Sequence, residues 1–322
     1  MVPPRDALAR VNVVACVEYL ALCAIWFVVR ALRWRHLLSP IAAVPLRKIL
    51  AVSFIGLTAV LVMPLRAGEL VRPYLIRDKG KLTLAAAMGT IAAERIIDGL
   101  GVTILLGICL QIARPLSPLP DHIGKLRIPV AAVPFYAYLA LAGFICAFAL
   151  MVLFYLRARW GYILVERTVG LVSRKFALKA ADFVARIADG LKFLPSSRHL
   201  GPFVLETAIY WGLNGLSVWV LARACGLEQM TLTQAMVVLG VVGVGIIVPA
   251  GPGLFGAFQA STYAALAMYF SDDLVLGTGA VFVFLLYVLQ VGMQLLACAV
   301  GIFLERGTAR LALEAESGGR TE

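Results

Sequence analysis

The 322-residue chain is 61% hydrophobic and only 15% charged, with a mean hydropathy of +0.92, which excludes an ordinary soluble domain and indicates an integral membrane protein. Its net charge of +11 and pI near 9.6 fit a helical membrane protein with Lys- and Arg-rich cytoplasmic loops, so nucleic acid is not an expected partner. The six cysteines fall in or beside apolar runs and form no CxxC pair, which argues against a disulfide framework and against a zinc site.

Crossing about 30 Å of hydrocarbon takes roughly 20 apolar residues as a helix, and several runs approach or exceed that, so helices rather than barrel strands are expected. In chain order the apolar runs are 11–32, 49–63, 82–113, 130–156, 200–222, 233–250, 257–270 and 274–304. The first has few charges before it and no small-residue cleavage site after it, and it reads as a retained span, not a removed signal peptide. Runs 49–63, 233–250 and 257–270 are short for a full crossing, and the first two end in Pro-containing turns, at Pro64 and at PAGPG, 249–253. Short, Gly/Pro-interrupted segments in matching positions of two halves point to discontinuous helices and an inverted repeat.

Charge orients the chain. Segment 157–199 is strongly basic, as are the loops RALRWRHLL (30–38) and RDKGK (77–81), and the positive-inside rule places all three in the cytoplasm. An element between two cytoplasmic loops cannot cross once, so 49–63 and its return form a re-entrant hairpin. By the same logic 233–270 is a second hairpin entering from the outside, with Asp272 and Asp273 near its return. The expected fold is an all-α polytopic membrane protein with five full spans and two opposed re-entrant hairpins, N-terminus outside and C-terminus cytoplasmic. It forms a single transmembrane domain over 1–322: a first half at 11–156, a cytoplasmic amphipathic linker helix within 157–199, a second half at 200–304 and a disordered tail at 305–322. In the linker, apolar residues recur every three or four positions from Val165 to Leu194 opposite a basic face, as in a helix lying on the inner leaflet.

The stretch MPLRAGELVRPYLI, 63–76, places Arg66, Glu69 and Arg72 at spacings of three, so a helical segment after Pro64 puts them on one face. Two guanidiniums at the return of a hairpin suit a phosphate, with Glu69 orienting one of them; the alternative is interfacial arginines snorkelling to water. Glu94, Arg95 and Asp98 lie inside the 82–113 span, where each ionisable group costs roughly 2.5–3.5 kcal/mol near the membrane centre. They need partners: Arg95 with Asp98, and Glu94 with Arg66 or Arg72, either around a substrate or as an ion-pair network that only locks the hairpin to the span. The second turn, PAGPGLFGAFQAS (249–261), is uncharged; Gly251, Gly253 and Gly256 permit close approach there, and a helix beginning near Leu254 points amide donors inward, with Gln259 beside them. Glu18 and Glu206 hold similar early positions in the first span of each half, where packing or interfacial placement is the simpler reading. His36, His122 and His199 sit at predicted membrane edges without metal-ligand spacing, and no HExxH, GxSxG or phosphate loop occurs, so neither an enzyme, a metal nor a cofactor is expected.

The ordered set LRWRHLL (32–38), PLRAGELVR (64–72), Glu94-Arg95 with Asp98, and PAGPGLFGAF (249–258) resembles the lysylphosphatidylglycerol synthase transmembrane-domain family, also called flippase-like or uncharacterised protein family 0104. The resemblance spans most of the chain. It implies a bacterial inner-membrane protein linked to moving lipids or lipid-linked intermediates between leaflets, as in the multiple-peptide-resistance flippases, without fixing the lipid. Where many members carry Glu after the second Gly motif this chain has Gln259, which questions a proton-coupled carboxylate there. The soluble aminoacyl-transferase domain of bifunctional members is absent, so lysyl transfer is not expected. The expected partners are membrane lipids: an anionic phospholipid, a polyprenyl-phosphate-linked lipid or a hopanoid. A second copy of the chain and an envelope biosynthetic enzyme are further candidates, the latter belonging to the alternative of a non-transporting scaffold.

Overall fold

The structure, a computed structural model, describes residues 3, 5–78, 81–124, 129–157, 174–247 and 252–318. Among these residues the fold is helical and contains no strand; Asp78 and Leu82 form an isolated bridge. In chain order the helices are α1 (Arg5–Ala9), α2 (Val13–Leu32), α3 (Trp34–Leu38), α4 (Leu46–Val62), a 3-10 turn (Pro64–Leu70), α5 (Val71–Ile76), α6 (Leu84–Ile112), α7 (Val133–Leu156), α8 (Arg174–Asp189), α9 (Ser197–Ala224), α10 (Leu232–Gly245), α11 (Ala257–Ala267), α12 (Asp272–Leu276) and α13 (Thr278–Gly318). Among the described residues five stretches are long and apolar enough to cross a membrane: Val13–Leu38, Leu84–Ile112, Val130–Leu156, Ser197–Ala224 and Asp272–Arg306. They match the five expected spans, and the protein is a multi-pass membrane protein. The last helix takes in most of the segment expected as a tail, and the linker positions 165–173 lie outside the described residues.

Two pairs of shorter helices interrupt the spans. At about 1.5 Å per residue, the 17 residues of α4 reach roughly 25 Å and the 14 of α10 roughly 21 Å, less than a full hydrocarbon core. Pro64 ends α4: it forces Met63 out of the helical region to ψ 136° and then opens the 3-10 turn with its pre-set φ. The returning segment packs back on α4, and Gly68 makes this possible, because a Cβ there would run into the Ala59 backbone. The second pair, α10 and α11, also packs together. Its entry is fixed by a reciprocal cap, with Gln234 N–H donating to Thr231 Oγ1 at 3.2 Å and Thr231 N–H to Gln234 Oε1 at 2.9 Å. The sequence order of long helix, short pair, long helix thus occurs twice.

The chain divides into two compact units that do not follow chain order: one holds Met1–Val29, Asp98–Ile145 and Thr207–Met293, the other Arg30–Ile97, Cys146–Glu206 and Gln294–Glu322. The first unit contains α10 and α11. Its loop after α6 is tied down by Leu116 N–H donating to Met268 O at 2.8 Å and by the Tyr269 hydroxyl donating to Ala113 O at 3.0 Å. The second unit contains α4, α5 and the core around Trp34, Leu37, Val52, Ile76, Phe193 and Phe203. Within it α13 is fastened to α4 twice: Gln294 Nε2 donates to Leu57 O and Thr58 Oγ1 donates to Gln294 O, both at 2.8 Å.

The end of the linker helix docks into this second unit. Gly89 on α6 lies so close to Ile187 O and to Gly190 that a Cβ would collide with them. Replacing Gly89 with Val is expected to cost about 1–3 kcal/mol through overpacking and to speed proteolysis near Lys192. Denaturant unfolding in mild detergent with timed trypsin digestion measures both; unchanged values would remove this contact from the fold.

Candidate functional site

Glu94 sits on α6 in the second unit, fully buried, and carries the densest set of charges among the described residues. Arg33 Nη2 donates to Glu94 Oε1 at 3.3 Å. Arg72 Nη1 stands 3.0 Å from both carboxylate oxygens and donates to Oε1, so Oε2 has an ion-pair contact without a hydrogen bond. The next residue, Arg95, brings Nη2 to 3.7 Å of Oε1. Three guanidiniums therefore share one carboxylate. Arg33 is 0% exposed and Arg72 2%, whereas Arg95 keeps 26% of its side chain accessible.

Local sequence explains how these groups meet. Arg33 lies at the junction of α2 and α3, and Arg72 arrives on α5 because Pro64 turns the chain back. Gly56 on α4 leaves the channel for the Arg72 stem, since a Cβ at this position would overlap Arg72 Cγ. The Arg72 guanidinium lies over the Trp34 ring at 4.2 Å from its centroid, and Arg33 lies over Phe203 at 5.5 Å, both within cation–π range. Trp34 is held in turn: its Nε1–H donates to Thr90 Oγ1 at 3.0 Å, and the Thr90 hydroxyl donates to Ala87 O at 2.7 Å. An aromatic floor anchored to α6 thereby fixes the plane of Arg72. Its Nε remains without an acceptor, as does Glu94 Oε2 without a donor.

A second polar group lies in the same unit. Arg35 Nη2 donates to Glu206 Oε1 at 2.7 Å, and His36 Nε2 stands 3.2 Å from the same oxygen. Ser39 Oγ and His199 Nδ1 are 2.9 Å apart. His36 and His199 are thus partnered groups joining the α3 region to α9. His122 is exposed in the loop after α6, where its hydrogen bond to Asp121 raises its pKa above the ordinary imidazole value. All six cysteines are free, and among the described residues no group of three or more His, Cys, Asp or Glu stands ready to hold a metal.

Of the residues singled out by sequence, Arg72, Glu94 and Arg95 come together. The Arg72 to Glu94 pair is one of the two expected between hairpin and span. Glu69 lies half-buried on the 3-10 turn; Arg66 is on the same turn, its side chain outside the described residues. Arg95 contacts Glu94, its neighbour in sequence, and Asp98 is buried at 6% exposure in the residue range of the other unit. At the second turn, Gly253 and Gly256 adopt φ of +77° and +90°. Gly251 lies outside the described residues. The helix there starts at Ala257, not near Leu254, and Gln259 Oε1 accepts the Gly256 N–H at 2.7 Å, which makes it a helix cap. Sequence reasoning missed Arg33, Trp34 and Arg35 with Glu206 as members of polar groups. The signal was present in LRWRHLL, an unusually charged run directly after an apolar span.

Removing one partner from a buried ion pair typically costs about 3–5 kcal/mol. Glu94→Gln is expected to lower unfolding free energy by about that much, and Arg72→Met with Glu94→Gln to cost less than the sum of the single changes by about 0.5–3 kcal/mol. Equilibrium unfolding of the four proteins in mild detergent measures the coupling; strict additivity would show that the pair is not formed.

Searches of curated proteins and of solved structures each return no match. A family model described as "Lysylphosphatidylglycerol synthase TM region" matches residues 3–302. Four of the apolar spans, most of the fifth, the charged α5 to α6 group and the Gly-rich second turn fall within that range, and the chain belongs to the lysylphosphatidylglycerol synthase transmembrane-region family.

Proposed function

We propose that the protein carries the head group of an anionic phospholipid or lipid-linked intermediate between the leaflets of the bacterial inner membrane, making and breaking no covalent bond. The observation that supports this is the sharing of Glu94 by Arg33 and Arg72, both buried, and by Arg95, which stays partly accessible. Three guanidiniums gathered on one carboxylate offer donors of the kind that an added anion takes. Arg72 offers Nε on the edge of a planar fork that binds a phosphate through two parallel hydrogen bonds, and Trp34 holds that fork in plane. Glu94 serves as the resident counter-ion, which a head-group phosphate displaces and which returns when the phosphate leaves. The acyl chains remain in lipid throughout. Glu69 on the turn before α5 belongs to the same unit as this group.

In this reading both helix pairs are re-entrant and enter from opposite sides, with basic loops and the C-terminus in the cytoplasm. Single cysteines at Lys81 and Asp273, in a background without native cysteines, are expected to react with an impermeant maleimide from opposite faces of oriented vesicles. Labelling from one face would overturn the opposed arrangement.

Purified protein in vesicles of phosphatidylglycerol and phosphatidylcholine is expected to expose a fluorescent phosphatidylglycerol to external dithionite. Arg72→Ala is expected to reduce that rate to the protein-free background, and Arg72→Lys, which keeps charge but not the fork, to an intermediate value. Melting curves and gel filtration establish that each variant is folded. Transfer unchanged in Arg72→Ala would remove this cluster from the mechanism.

A further inference from the structure

The first unit holds a cavity of about 480 Å³ bounded by α6, α7, α10 and α11. Its walls are apolar: Leu106 of α6, Val133 and Ala137 of α7, Val241 of α10 and Ala264 of α11. Tyr136 and Ser261 supply the only side-chain hydroxyls in the lining. Tyr136, Leu139 and Ile247 on its rim are all exposed, and the span containing α7 is buried over only 6% of its most apolar window. That helix faces hydrocarbon along most of its length, and the cavity opens where hydrocarbon is the solvent.

We infer that this cavity is a binding site for one fatty acyl chain of a membrane phospholipid. Water is a poor occupant, because apolar cavities of even 150 Å³ stay dry and take up apolar guests. A volume of about 480 Å³ lies within the roughly 300–1,000 Å³ usual for ligand pockets, and an unbranched acyl chain is the apolar guest that a bilayer supplies in greatest abundance. Small residues make the space: Ala137, Ala140, Gly245, Ala260 and Ala264 line it, and Gly245 already lies against Ser261, so the wall cannot collapse inward there. The site concerns the tail, not the head group, and stands independently of the charged cluster in the other unit.

The test uses the full chain in phosphatidylglycerol and phosphatidylcholine vesicles doped with a phospholipid carrying a diazirine at mid-chain, followed by irradiation and peptide mapping. Labelling is expected to concentrate on residues 133–140, 241–247 and 260–264, and to fall at least fivefold in Ala264→Phe and in Ala140→Trp, two fillings from different helices. Each variant is checked for an unchanged melting curve, and at least one must pass for the comparison. Arg72→Ala is expected to keep the labelling, which separates loss of this site from loss of the head-group reading. Even labelling along the lipid-facing side of α7, indifferent to both fillings, would reduce the cavity to ordinary lipid contact and overturn the inference. Competition by a polyprenyl phosphate that matches unlabelled phospholipid would overturn the assignment to an acyl chain.

Discussion

The second unit depends on a carboxylate buried where only cations can keep it ionised. Glu94 has 0% exposure and is reached by Arg33, Arg72 and Arg95. An isolated ionised carboxylate in such a place would cost far more than any single packing contact returns, so the arginines and the glutamate must be delivered together. Much of the surrounding geometry serves that delivery. Pro64 reverses the chain, Gly68 lets the returning segment lie against Ala59, Gly56 makes way for the Arg72 stem, and Thr90 locks the Trp34 ring beneath its guanidinium. Apolar side chains of similar volume would pack this region at least as well. A buried ion pair is weak evidence for stability, and in the proposed function these guanidiniums receive an anionic head group.

Much of this was legible in the sequence, for physical reasons that differ by element. Spans are read from length and apolarity alone, and α6, α7, α9 and α13 fall within a few residues of the expected runs in their membrane portions. The Pro64 turn was legible because proline acts locally, on the residue before it and on its own φ. The partner of Glu94 was narrowed to Arg66 or Arg72 because a charge inside a span demands an opposite charge nearby. Arg33 escaped, since 61 residues separate it from Glu94 and the charged run LRWRHLL that holds it does not name its partner. Glu206 escaped in the same way, joined to Arg35 across 171 residues. Gln259 stood out for its position beside the Gly turn, but whether an amide caps a helix or faces a ligand depends on where the helix begins, and that boundary shifted to Ala257.

The two short helix pairs solve one geometric problem with different chemistry. The first turns through a 3-10 segment whose backbone is committed against α4, and its side chains carry the charge. The second turns through Gly253 and Gly256 at positive φ, and its order comes from neutral groups: the Gln259 cap and the Tyr287 hydroxyl donating to Gly253 O at 2.9 Å. Phe255 and Phe258 surround that tyrosine, edge-on and tilted. One pair is specified by ion pairing and the other by packing and backbone hydrogen bonds.

That neutrality has an electrical corollary. A voltage across a bilayer does work only on charge, about 2.3 kcal/mol per elementary charge for each 100 mV. Residues 252–267 contain no Arg, Lys, Asp or Glu, so an electric field exerts no direct force on the side chains of α11 and its preceding turn. Arg72, in the first pair, carries a charge on which a field does act, so an energised membrane loads the two pairs unequally.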